Sequence, residues 1–600
     1  MNTLLPCPGE IDQPSASQAG EGEGILAGTL VEPGARPLRV GLLLDGLVVE
    51  AWQHAIIADL VAASWVEIPV AAICWAPLER QPRWTENLLA GRLHRSTELY
   101  DRYERVGAGR TGTSGHACRA PIASLIGEAE ILQVVPDRRN RVFDRFGEAD
   151  IERLRAHDLD VVLRFGFRIL KGGVLSVARH GVWSFHHGDP SRYRGGPSCF
   201  WELTQGEKTV GVVLQRLSED LDAGEVLYRS ASSCPPTLWV NVVRDRHFRK
   251  SSRFVMRCLE RLHRTGSAHG AGPPPDTEPE KEKERGALYK RPGNLAALGL
   301  LAKLAARTAA SNALNLVRDS RWSVLIRKAG PDLSLPDGAG TVIGAIGNGS
   351  WQAADPCLHA RDGADWCFFE RMPLSGGKGE IAVVRVIDET RLSAPQTVIE
   401  EEAHLSYPFL FDWQGRSFLA AESAETGGVS VWEAERYPLT WRRRDTWLPG
   451  LRAYDPTIVS HGGLWYLFVT IDEAGGGPND ELFVFVSDTP LGPWQPHALN
   501  PVVSDCRFAR PAGRMFGHGG RLIRPVQDCA GSYGRAINLC AVDALTPDTF
   551  SQRVVGRIDP AAAGGAIGCH TVSRLGGLEA LDIRRVMANP FAWRRGGSRQ

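Results

Sequence analysis

The chain has 600 residues, too many for one hydrophobic core, so two or more domains are expected. Hydrophobic residues make up 43% and charged residues 23%, an ordinary globular balance, and a formal net charge of zero gives no field to attract nucleic acid or an anionic membrane. No apolar run reaches bilayer length and no charged-then-apolar leader follows Met1, which points to a cytoplasmic protein; the 12 cysteines form no Cys-x-x-Cys pair and point to buried thiols and no metal site.

Residues 1–37 are rich in Gly, Glu, Ser and Pro without periodicity and read as a disordered tail. Leu38 to Asp45 reads as a fully buried strand, Trp52 to Ala63 as a helix, and Ile68 to Trp75 as the next apolar run. Ala129 to Pro136 and Asp160 to Gly166 are further strands, with Glu148 to His157 a helix between them. Strands and helices alternating in this way predict a doubly wound α/β domain over 38–230.

The strand Gly181 to Phe185 delivers polar residues to a loop: His186 and His187, then Gly188-Asp189-Pro190, Arg194-Gly195-Gly196-Pro197, Gly206-Glu207, Gly211-Val212 and Asp222-Ala223-Gly224. This order resembles the formyltransferase family that includes methionyl-tRNA, glycinamide-ribonucleotide and sugar N-formyltransferases. Ser184 stands where the family's pattern has Asn, and Gly188-Asp189-Pro190-Ser191 replaces its Ser-x-Leu-Pro. The resemblance implies 10-formyltetrahydrofolate as donor, His186 and Asp222 as the catalytic pair, and Ser184 in the place of the donor to the oxyanion. It also implies that Arg168, Ile169 and Leu170 hold the pterin and that Arg194 and Gly195 contribute to the cofactor site. An imidazole of near-neutral pKa can take the amine proton or stabilise the oxyanion, and a buried carboxylate can orient it. His187 faces the other side of the strand and reads as a packing residue.

Residues 231–320 read as a helical connector. Within it, Asp245 to Thr265 is basic and helix-capable, 272–285 has the Pro and charge density of an exposed linker, and Leu295 to Val317 is a surface-packed helix. From Trp322 the texture changes to short Trp-, Phe- and Val-rich strands separated by Gly and Asp turns, and it repeats. Ala354-Asp355-Pro356, Ser406-Tyr407-Pro408, Tyr454-Asp455-Pro456 and Ala509-Arg510-Pro511 recur about every fifty residues, and Cys569-His570-Thr571 begins a fifth unit. Such periods predict an all-β five-bladed propeller over 321–590 whose blade starts line a central funnel. Fifteen residues beyond Asp355, Tyr407 and Asp455 come Glu370, Glu422 and Thr470, a second ring facing the same pocket.

This half resembles the five-bladed propellers of certain glycoside hydrolases and, more closely, the N-terminal domain of glucosamine inositolphosphorylceramide transferase. Ala354-Asp355-Pro356, Phe368-Phe369-Glu370, Ser406-Tyr407-Pro408, Arg510-Pro511-Ala512-Gly513 and Arg524-Pro525 carry the likeness. Asp355, Glu370, Glu422, Asp455 and Arg510 are the pocket candidates, and paired carboxylates are what glycosidic cleavage requires. Taken together, the two halves imply formyl transfer to an amine of a small acceptor, an amino sugar or sugar nucleotide, with the propeller binding carbohydrate. The alternatives are a propeller enzyme acting on glycosidic bonds beside a degenerate formyltransferase domain, and a non-catalytic binding protein.

Overall fold

The computed structural model describes residues 36–76, 97–111, 118–139, 142–220, 224–268, 287–330, 342–347, 350–388, 391–423, 425–473, 475–562 and 565–588. The expected tail, but for its last two residues, and the 272–285 linker lie outside them, as does Asp222.

The apolar runs become the strands β1 (Leu38–Leu44), β2 (Val70–Cys74), β3 (Glu130–Val134), β4 (Val161–Arg164), β5 (Val182–His186), β6 (Thr209–Arg216) and β7 (Glu225–Ser233). They form one sheet in the order β7-β6-β5-β4-β1-β2-β3. β1 is parallel to β2 and β4, β4 to β5 and β2 to β3, while β6 and β7 run antiparallel at one edge. The order reverses between β1 and β4, and outside the carboxyl ends of strands at such a switch point lies the crevice where open α/β sheets bind ligands. β1 ends there at Asp45, β4 at Arg164 and β5 at His186.

Helices cover both faces because the strands are buried on both. On one face Trp52, Ile56 and Leu60 of α1 (Ala51–Ala62) share a core with Val40, Leu42, Leu163 and Leu214. On the other, Ile151 and Leu154 of α2 (Glu148–Arg155) pack on Leu43, Ala72 and Val162. The segment expected to be a basic connector is two helices, α3 (Val240–Ser251) and α4 (Phe254–Thr265). Their apolar residues Phe248, Phe254, Val255 and Leu259 complete the α1 core, so they belong to the first domain. The chain also returns to it after the linker: Ala287–Tyr289 pairs in parallel with Tyr193–Gly195, and Ala297 and Leu304 of α5 (Asn294–Val317) pack against Phe200 and Leu203.

Five sheets make the propeller. Four blades are built in sequence. The fifth joins Val572–Leu575 and Leu578–Ala588 to Arg318–Lys328 and Val342–Ile346, so that the two ends of the domain close the ring through the antiparallel pair Arg318–Lys328 and Leu578–Ala588. In the first three blades the inner strand carries the same irregularity: the register slips between Ala354 and Cys357, Ser406 and Phe409, and Tyr454 and Thr457. The residue before proline at each slip has positive φ, 52° at Asp355, 51° at Tyr407 and 55° at Asp455. A bulge with a left-handed non-glycine residue is strained and re-aims its side chain. The X-Pro repeat seen in the sequence is the mark of that bulge.

The two domains share a buried, charged seam. Lys250 Nζ of α3 lies 2.9 Å from Asp480 Oδ2 and Arg257 Nη1 of α4 lies 2.7 Å from Glu481 Oε1. Tyr228 and Ser504 donate hydrogen bonds to Glu481, and Ser504 Oγ lies 2.7 Å from Ser230 Oγ, which is left to donate to it.

Candidate functional sites

At the switch point the geometry is built from three strand ends. His186 closes β5, and its Nε2 lies 2.8 Å from the Tyr193 carbonyl, which leaves Nδ1 as the nitrogen open to further chemistry. Two residues earlier, Ser184 is buried, and its hydroxyl accepts a hydrogen bond from Arg164 Nη1 at 3.0 Å. Arg164 is paired with Ser184 in the β4–β5 register and also donates to the carbonyls of Phe167 at 3.0 Å and Arg168 at 2.9 Å. Burial lowers its pKa without removing its charge at neutral pH.

Those carbonyls open the segment assigned to the pterin. Phe167 sits at φ 64°, and its N–H donates to Asp45 Oδ1 at 2.7 Å. Arg168 is held by Asp144, which accepts from its backbone N–H at 2.8 Å and from Nε at 2.9 Å, while Nη2 donates to the Phe143 carbonyl at 3.1 Å. Ile169 and Leu170 form a short strand beside Phe143–Arg145, with Leu170 buried. The segment is thus pinned from both sides, by Arg164 and by Asp144. The turn is rigid and strained, and its Phe167 and Arg168 main-chain groups are held by Asp45, Asp144 and Arg164.

His187 is stacked on Phe248 with ring centroids 3.6 Å apart and meets Trp52 edge-on, while its Nε2 lies 3.2 Å from Ser251 Oγ. It also lines a small cavity of about 10 Å³ with Arg194, Gly195, Trp201, Glu202 and Tyr289. Gly195 is at φ 79°, where an added Cβ would stand 2.3 Å from the Tyr289 carbonyl, so glycine is required for the returning strand to close this wall. Glu202 is 3% exposed, and burial lifts its pKa to about 7. Glu202 and Arg164 escaped sequence reasoning. The signal was present in both, a charged residue inside an apolar run (Val-Val-Leu-Arg and Phe-Trp-Glu-Leu), which a fold accepts only when the charge is paired or neutralised.

In the propeller the bulges turn Asp355, Tyr407 and Asp455 inward, and Glu370, Glu422 and Thr470 follow on the second strands, all of them buried. Glu422 accepts hydrogen bonds from the Asp455 N–H at 2.7 Å and from Ser406 Oγ at 3.1 Å. Arg510 pairs with Asp455 through two bonds, 2.5 and 3.1 Å, and stacks on Tyr533; Gln527 also donates to Asp455. Tyr407 donates or accepts at Thr457 and receives the Gly513 N–H at 2.6 Å, so it ties blades together.

His570, from the fifth blade start, bridges Asp355 at 3.0 Å and Asp582 at 2.9 Å. Burial works against its protonation, but the two carboxylates outweigh burial and lift its pKa to about 10. Burial would likewise raise Asp355, yet the imidazolium holds it below the usual carboxylate range. Glu370 has the His404 imidazole 3.3 Å from its Oε1, yet burial together with Asp355 pushes it well up, as burial and Asp455 do for Glu422. The funnel therefore holds carboxyls whose pKa values are pushed in opposite directions side by side. Asp355, His570 and Asp582 present donor atoms within 4.8 Å of one another, a spacing that suits a divalent cation, but a protonated imidazole offers no lone pair to one.

Residues 339–560 match the family model described as glucosamine inositolphosphorylceramide transferase 1, N-terminal. Glucosamine inositolphosphorylceramide transferase 1 of Oryza sativa subsp. japonica is 33% identical over 203 residues, 33% of this chain and 27% of the relative. The Arabidopsis thaliana protein of that name is 33% identical over 204 residues, 33% of this chain and 26% of the relative. A methionyl-tRNA formyltransferase of Burkholderia multivorans is 31% identical over 135 residues, 22% of this chain and 41% of the relative. The chain thus spans about a quarter to two fifths of the length of these curated relatives. Among solved structures, glycinamide ribonucleotide transformylase 1 from Symbiobacterium toebii aligns over 40% of this chain and 91% of its own at 16% identity and a TM-score of 0.26. A GH43 β-xylosidase/α-arabinofuranosidase from a compost metagenome aligns over 40% of this chain and 91% of its own at 14% identity and a TM-score of 0.30. The chain is thus similar to a methionyl-tRNA formyltransferase over 22% of its length and, over residues 339–560, to the N-terminal region of glucosamine inositolphosphorylceramide transferase 1.

Proposed function

We propose that the first domain transfers a formyl group from 10-formyltetrahydrofolate to the amine of a small acceptor, an amino sugar or sugar nucleotide, and that the propeller binds the carbohydrate part. The observation that carries the reading is the convergence of His186, Ser184 and Arg164 on the crevice beside the pinned Phe167–Leu170 turn. The likeness to methionyl-tRNA formyltransferases supports the reaction class, and the neutral net charge favours a small acceptor over a nucleic acid. Among the described residues no helix is long and apolar enough to cross a membrane, and we place the activity in the cytoplasm.

The bound folate would supply an activated formyl group. Arg168, Ile169 and Leu170 would hold its pterin, with Arg194 and Gly195 at the opposite wall. His186 takes the proton that the attacking nitrogen must lose, through the ring nitrogen not committed to Tyr193. Arg164 polarises the Ser184 hydroxyl by donating to its oxygen, which makes that hydroxyl a stronger donor to the charge developing on the formyl oxygen. Asp222 has the role of orienting the imidazole. Incubation with 10-formyltetrahydrofolate and a panel of amino sugars, with product mass as readout, tests the reading. No formylated amine from any acceptor, in protein that binds the donor, would refute it.

A second reading rests on the funnel. Glu370, raised by burial, and Asp355, lowered by the His570 imidazolium, are shifted in the opposed directions that glycosidic cleavage uses. Release of nitrophenol from aryl glycosides, abolished by Glu370→Gln, would favour it over the first.

A further inference from the structure

A cleft of about 470 Å³ opens at the funnel end of blade 2, between the segment that leads into the inner strand Ser406–Trp413 and the turn that joins Arg416–Glu422 to Val429–Arg436. Its volume lies in the range of small-molecule sites. Glu401, Glu402 and Glu425 line it, opposed by one guanidinium, Arg443, which donates to Ser430 Oγ at 2.9 Å. An acidic wall alone would be a solvated surface. Here Ser423 also lines the cleft, is 2% exposed, and its hydroxyl has no hydrogen-bond partner among the described residues. Buried hydroxyls are almost always paired, so an orphan on the wall of a cavity marks the place where a ligand completes the bond.

The cleft backs on the funnel. Ser423 follows Glu422 directly, and His404, between Glu402 and Leu405, has its Nε2 3.3 Å from Glu370 Oε1. A ligand here therefore stands against the acid array without displacing the Arg510–Asp455 pair. Three carboxylates facing one guanidinium select a cation, and the Ser423 and Ser430 hydroxyls, with Arg443 behind them, select a partner rich in hydroxyl groups.

We propose that this cleft binds an amino sugar whose nitrogen is unsubstituted and carried as ammonium, with Glu401, Glu402 and Glu425 around the charge and Ser423 and Ser430 on the ring hydroxyls. The proposal rests on the reading that the propeller holds the carbohydrate and names the class. It follows that a neutral N-acylated sugar binds more weakly, so the cleft discriminates the free amine from its acylated form.

Calorimetric titration of the full chain with a glucosamine tetramer and with its fully N-acetylated counterpart, at 0.15 M salt, tests this. The free-amine tetramer should bind saturably and at least roughly tenfold more tightly than the acetylated one. Glu401→Gln with Glu425→Gln should weaken it by roughly tenfold or more, and Ser423→Ala should weaken it severalfold. Glu435→Gln, an exposed acid of the same blade paired with Arg442, should leave it unchanged. Equal binding of the two tetramers, or wild-type binding by the Glu401/Glu425 double variant, would overturn the proposal. Formyl transfer to a small free amine is measured in parallel: transfer without tetramer binding sinks the cleft and keeps the enzyme, and binding without transfer keeps the cleft and sinks the enzyme.

Discussion

Replacing His570 with Gln removes the cation that holds Asp355 and Asp582 together at the centre of the propeller. In the wild type the imidazole pKa rises from 6.5 to about 10 on folding. At 1.36 kcal/mol per pH unit this corresponds to stabilisation on the order of 5 kcal/mol, reduced by whatever the two carboxylates lose by crowding. Because the folded value is the higher one, the contribution is fully present below pH 6.5 and is lost as pH rises toward 10. His570 is 3% exposed and Asp582 fully buried, so solvent does little to screen the interaction. Calorimetric melting of both proteins at pH 6, 8 and 10 gives the comparison. The gap between wild type and His570→Gln should be widest at pH 6 and close by several kcal/mol by pH 10. A gap independent of pH would show that His570 is neutral in the fold and that the lowering of the Asp355 pKa has no source.

Burial holds the Glu202 carboxyl at about 7. Its raised pKa means that Glu202 contributes stability below pH 4.5 that is lost as pH rises to 7, and Glu202→Gln should lack this slope in urea titrations. Arg164→Met frees the Phe167 and Arg168 carbonyls and the Ser184 hydroxyl, and should weaken a 10-formyltetrahydrofolate analogue by roughly tenfold in calorimetry while leaving the fold intact. An unchanged affinity would separate Arg164 from the donor site. Asp480→Ala leaves the buried Lys250 amine with the Ser232 hydroxyl but without its counter-charge at the domain seam and should cost about 3–5 kcal/mol in urea unfolding; Lys250→Met added to it should restore much of the loss.

Much of the architecture was legible because hydrophobic pattern and turn chemistry are local. The strands from Leu38 to His186 stand where apolar runs ended in Gly, Asp or Pro, and the blade repeat stood out because each bulge needs the same X-Pro step. Legibility failed where a contact joins distant residues. Nothing local in Ala287–Tyr289 says that it pairs with Tyr193–Gly195, and the basic surface of α3 and α4 hides the apolar stripe that completes the α1 core. The propeller candidates Asp355, Glu370, Glu422, Asp455 and Arg510 were found from their period alone. The lowered pKa of Asp355 was not legible, since it depends on His570, itself held by Asp582, and both lie more than two hundred residues from Asp355. The hydrogen bond that Arg164 gives the Ser184 hydroxyl is likewise a contact between neighbouring strands, twenty residues apart, that no local pattern carries.

The most direct measurement of the central claim is single-turnover transfer of a radiolabelled formyl group from 10-formyltetrahydrofolate to glucosamine by the full chain and by His186→Ala, with donor binding measured calorimetrically on both. The account predicts labelled N-formyl sugar from the wild type and none from His186→Ala, which should still bind the donor. A His186→Ala protein that transfers at the wild-type rate, or a folded wild type that binds no donor, would contradict it.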